Sequence, residues 1–82
     1  MFRTLVKTDA ITVDGQTFPV RYFEVRTLRG ARRYSAEILL DAADHIILDD
    51  DSVGNLEARA ARLVPATLYS RVLAGRAAAT AA

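Results

Sequence analysis

At 82 residues, with eleven Lys and Arg against ten Asp and Glu, the chain is one small domain of near-neutral charge. It has no cysteine, which excludes disulfides and thiolate metal sites, and half its residues are apolar, which weighs against disorder for its body. No apolar run reaches the roughly 18 residues of a membrane span, and the start MFRTLVK lacks the apolar core of a secretory signal, so no membrane is expected and the expected location is the cytoplasm.

The first expected element is a hairpin. Ala10 to Val13 and Gln16 to Phe18 are β-favouring runs on either side of Asp14-Gly15, the residue pair that supplies the positive φ values of a tight two-residue turn. Phe2 to Val6 reads as a separate, additional edge strand. The second strand extends from about Thr17 to Thr27. Pro19 has no N–H for a ladder, so that end belongs at an edge or a bulge. Val20 and Tyr22 face one way and Phe23 and Val25 the other, so either a bulge falls near Tyr22 or both faces of the strand are partly covered.

Leu28 to Ala31 reads as a short loop with Gly30 at its left-handed position. The third strand, Arg32 to Leu40, alternates cleanly, with Tyr34, Ala36, Ile38 and Leu40 on one face. Asp41 to Asp44 is a polar turn, and His45 to Leu48 is an apolar run of strand length. The period then changes. Ser52 is a helix N-cap, preceded by Asp49, Asp50 and Asp51 where the helix dipole favours negative charge. Val53, Leu56, Ala60, Leu63 and Val64 recur at helical spacing. Beyond Pro65, Leu68, Tyr69, Val72 and Leu73 form a second stripe, roughly 160° away from the first at 100° per residue. One helix cannot bury both stripes against one sheet, so a kink or a second helix is expected at Pro65. The expected fold class is therefore α+β: an antiparallel meander of three to four strands, then one kinked or two consecutive C-terminal helices. Residues 1–76 form the single domain and 77–82 a frayed Ala-rich tail.

Charge is segregated along the chain. Residues 21–33 hold five arginines against Glu24, a balance of +4. Residues 34–57 hold seven acids and no Lys or Arg, and from Arg59 onward four arginines stand alone. Such a pattern reads as a bipolar surface, suited to steering a partner or pairing with itself. The arginines about Gly30 (Arg26, Arg29, Arg32, Arg33) form a candidate partner-binding hairpin. It suits an acidic protein surface or the backbone of a nucleic acid, since arginine contacts carboxylate and phosphate bidentately. The pI near 8.2 and the acidic segment weigh against nucleic acid.

Catalytic and metal readings are thin. His45 is the sole histidine, and its neighbour Asp44 diverges from it on a strand, so a base–orienter pair does not form. The run Asp49 to Asn55 resembles a calcium loop only until Val53 and Ala60, which occupy positions that need oxygen ligands. Gly15, Gly30, Gly54 and Gly75 are isolated, so no phosphate loop is present. No catalytic residue, cofactor or metal is expected. The sequence thus reads as a small non-enzymatic binding or assembly module that forms a homodimer through Leu68, Tyr69, Val72 and Leu73. The alternative is a nucleic-acid-associated regulator that uses the arginine hairpin.

Overall fold

A computed structural model of the chain describes residues 2–81, with side chains as far as residue 77 in the C-terminal helix. Four strands, β1 (Arg3–Val13), β2 (Gln16–Arg26), β3 (Arg32–Asp41) and β4 (Asp44–Asp50), form an antiparallel meander in the order β1-β2-β3-β4. One helix, α1 (Val53–Ala81), follows and covers one face of the sheet. This is the α+β arrangement expected from the change of period at Asp49 to Ser52.

The β1–β2 turn has the chemistry its sequence requires. Asp14 at φ 51° and Gly15 at φ 79° both lie in the left-handed region. The hydroxyls of Thr12 and Thr17 meet at 3.2 Å across the strands above it. Phe2–Val6 and Ala10–Val13 are not two strands, however: β1 runs through both. The register shifts between Leu5 and Lys7, so Val6 is an extra residue opposite Tyr22 and Phe23. The bulge expected near Tyr22 thus exists in the partner strand. Its effect is to turn the start of β1 over, so that Leu5 pairs with Phe23 on the outer face while Lys7 pairs with Tyr22 on the helix face. Both faces of β2 are also partly covered. Tyr22 is buried under the helix side, and Phe23 is buried on the other side, where the guanidinium of Arg3 lies 4.0 Å from its ring centre.

The β2–β3 loop closes on Thr27. Its carbonyl accepts from the Gly30 N–H at 2.9 Å, its hydroxyl accepts from the Ala31 N–H at 3.1 Å, and Gly30 sits at φ 79°. At the far end Ser52 caps α1, its hydroxyl accepting from the Asn55 N–H at 3.1 Å.

The core is the helix face of the sheet. Phe18, Val20 and Tyr22 from β2, Ala36, Ile38 and Leu40 from β3, and Leu48 from β4 meet Leu56, Ala60 and Val64 of α1. Each large side chain buried there contributes about 1.5–3 kcal/mol relative to exposure. Those three residues of β3, with Tyr34 half-buried at the edge of the cluster, are the ones its alternation marks.

Of the two arrangements expected at Pro65, a kinked helix or a second helix, the second helix is absent. A single 29-residue helix passes through Pro65. Pro65 removes the hydrogen bond to the carbonyl of Ala61, and both residues lie on the exposed side of the helix, where water can satisfy that carbonyl. The packing on the other side, through Ala60 and Val64, is undisturbed. The two stripes are reconciled by leaving the second one out of the core, and the helix continues to Ala81; Ala82 lies outside the described residues.

Candidate functional site

The charge blocks that are separate in sequence are interleaved in space. Antiparallel pairing sets Arg21 directly opposite Glu37, and Arg33 one strand away from Asp49. Arg21 and Glu37 form a hydrogen-bonded ion pair, and Arg3 stands 3.7 Å from the other oxygen of the same carboxylate. Arg33 bridges Asp49 and Asp51. Arg59 reaches Asp50 at 3.1 Å, Arg71 pairs with Asp44, and Lys7 meets Glu57 at 3.1 Å. The bipolar surface expected from the sequence is therefore largely neutralised, by pairing between strands of the meander and between the sheet and α1.

These contacts set the ionisation of their members. The Arg21 guanidinium, hydrogen-bonded to Glu37, holds that carboxyl below the ordinary range. The Asn55 amide, the Asp51 N–H and Arg59 do the same for Asp50. The hydrogen bonds to Asp49 and Asp44 raise Arg33 and Arg71 respectively, and the bond to Glu57 raises Lys7.

The arginine hairpin is changed most by this pairing. Arg26 and Arg32 flank Glu24 at 3.7 and 3.3 Å, and Arg33 is occupied by its two aspartates. Arg29, at the tip, has no ion-pair partner among the described residues, and beside it Leu28 is 94% exposed. Four arginines in sequence become one unpaired cation and three that are already engaged. The cross-strand partners that engage them were not apparent from spacing along the chain.

The structure divides the second helix stripe. Leu68 is half-buried and packs against the core cluster. Tyr69, Val72 and Leu73 remain 65%, 50% and 45% exposed. Pro65, Leu68, Tyr69 and Val72 form one wall of a shallow groove of about 490 Å³ whose other wall is the β1–β2 turn at Val13 and Asp14. That wall is apolar apart from the tyrosine hydroxyl, so the groove suits burial of apolar side chains more than bond-making chemistry.

His45 is exposed on the outer face of β4 and Asp44 turns to the opposite face to pair with Arg71, so the two do not act on one another. Asp49, Asp50 and Asp51 are held by Arg33, Asn55 and Arg59. Among the described residues no cluster of three or more His, Cys, Asp or Glu is placed to hold a metal ion, and no helix is long and apolar enough to cross a membrane. Comparison with protein-family models, with curated proteins and with solved structures finds no match.

Proposed function

We propose that the protein is a small non-enzymatic assembly module that acts as a homodimer, docked through the outward side of α1 at Tyr69, Val72 and Leu73. The single observation that carries this reading is the exposure of those three side chains, contiguous on one helix. The sheet carries exposed apolar residues too, among them Leu5 and Ile47, but on its outer face they are interleaved with the ion pairs of Arg3, Arg21 and Glu37 and of Arg33 and Asp49. A partner covering that face has to desolvate those charges, whereas the helix stripe imposes no such cost. The cytoplasm is the compartment proposed for it. Docking of the arginine hairpin on nucleic acid or on an acidic protein has less support, because Arg26, Arg32 and Arg33 are engaged by carboxylates, leaving Arg29 alone there without an ion-pair partner among the described residues.

Sedimentation velocity over about 1 to 300 µM tests the reading, a range matched to an interface of modest size. A concentration-dependent shift from monomer to dimer is expected, lost in Tyr69→Asp/Leu73→Asp, whose side chains lie outside the core. A wild-type chain that stays monomeric throughout overturns the proposal.

A further inference from the structure

One edge of the sheet is β1, eleven residues long and exposed for most of its length. The opposite edge, β4, has seven residues, and the carbonyl of its Asp49 accepts from Arg59 at 2.8 Å. A long exposed edge is a template for adding a further strand. The first half of β1 is protected by its bulge at Val6 and by the charges of Arg3 and Lys7. Residues 8–12, Thr-Asp-Ala-Ile-Thr, keep a regular register and carry no charge apart from Asp9.

The register fixes which backbone groups of that stretch face outward. Val13 and Gln16 close the two-residue turn as a hydrogen-bonded pair, and bonded and non-bonded pairs alternate from there. Thr12, Ala10 and Thr8 therefore direct their N–H and C=O groups away from β2. Pro19, opposite Ala10, agrees, since a proline has no N–H to give to a bonded pair. The N–H of Ala10, in the middle of the three, is already taken: it donates to Oδ1 of Asp9 at 2.8 Å. Lys7 lies 3.8 Å from the other oxygen of this carboxylate and donates its own hydrogen bond to Glu57.

We infer that Asp9 guards this edge: its carboxylate occupies the Ala10 N–H and so stops a second copy of β1 from extending the sheet. The strand excluded is the antiparallel one that sets Ala10 opposite Ala10 of the partner subunit, with Thr8 opposite Thr12 of the partner subunit. That register uses the outward groups of residues 8–12 and avoids the bulge. With Asp9 in place, such a strand has to break the hydrogen bond to Ala10 and strip water from a carboxylate. It also sets the two copies of Asp9 diagonally on one face, about 7 Å apart, where like charges repel. The guard is independent of any pairing through α1.

The test uses the Tyr69→Asp/Leu73→Asp chain as its background, so that association through the helix does not register. Asp9→Val in that background keeps a β-favouring residue and removes the acceptor. It is expected to dimerise at least tenfold more tightly than the background chain in sedimentation velocity over about 1 to 300 µM. Adding Ala10→Pro, which deletes an N–H that the β1–β2 ladder does not use, is expected to return the monomer. In the wild-type chain the Ala10 amide is expected to exchange with deuterium roughly tenfold more slowly than those of Thr8 and Thr12, after correction for sequence. Folded Asp9→Val that stays monomeric across the range overturns the inference, as does association that Ala10→Pro fails to reverse. An Ala10 amide that exchanges as fast as its two neighbours on the edge overturns it without any variant. None of these results bears on the helix-mediated homodimer.

Discussion

The two halves of α1 have similar composition and the same backbone, yet one is core and the other surface. Leu56, Ala60 and Val64 are completely buried, while Tyr69, Val72 and Leu73 stand in solvent. The difference lies in phase and reach. Each half carries an apolar stripe, but the sheet offers one face, and a straight helix can present only one side to it. A hydrophobic stripe therefore states that a residue needs covering and leaves open what covers it.

Substitutions separate the two halves most sharply in the core. Leu56→Ala should cost about 3 kcal/mol of unfolding free energy, from lost burial and the cavity left behind. Leu73→Ala should change it by less than about 0.5 kcal/mol in the monomer, as an exposed site does. Denaturant titration at a concentration well below association checks both, and a comparable loss for Leu73→Ala would mean that the second stripe is covered within one chain.

Pro65 marks the boundary between the halves. Pro65→Ala restores an N–H for the Ala61 carbonyl and should raise stability by about 1–3 kcal/mol without moving the helix ends. A lower denaturation midpoint in this variant would show that the proline ring contributes packing worth more than the bond it removes.

The turn that forms the far wall of the groove beside the second half should be less sensitive. Gly15 sits at φ 79° with open space around it, so Gly15→Val meets backbone strain alone and should destabilise by about 1 kcal/mol. An unchanged midpoint would sink the turn assignment.

The smallest effect concerns the ion pairs that link the charge blocks. Glu37 and Asp50 are held below their ordinary values in the folded chain. Their contribution is therefore fully present above the unfolded carboxylate range, near pH 4, and is lost as pH falls through the lower folded values. Stability measured from pH 7 to 2 should fall on the acid side, and Glu37→Gln should shallow that fall. An acid limb identical in Glu37→Gln would place the sensitivity elsewhere.

Much of this architecture was legible along the chain because it depends on neighbours. Asp14-Gly15 specifies its turn, Ser52 its cap, and the alternation of Tyr34, Ala36, Ile38 and Leu40 its inward face, each through residues within a few positions. Val6 was not legible as a bulge, because a bulge is defined by the strand opposite. Nor was the fate of Pro65, whose cost depends on whether the freed carbonyl faces water or core.

The candidate site follows the same division. The sequence by itself determined that Tyr69, Val72 and Leu73 lie off the phase of the first stripe, and that arginines and acids occupy separate segments. Only the tertiary structure decided that Leu68 joins the core flank, that Arg26, Arg32 and Arg33 are already paired, and that Arg29 has no ion-pair partner among the described residues. Periodicity is a local property of the chain, whereas ion pairing and burial depend on residues brought together from up to fifty positions apart, as Lys7 and Glu57 are.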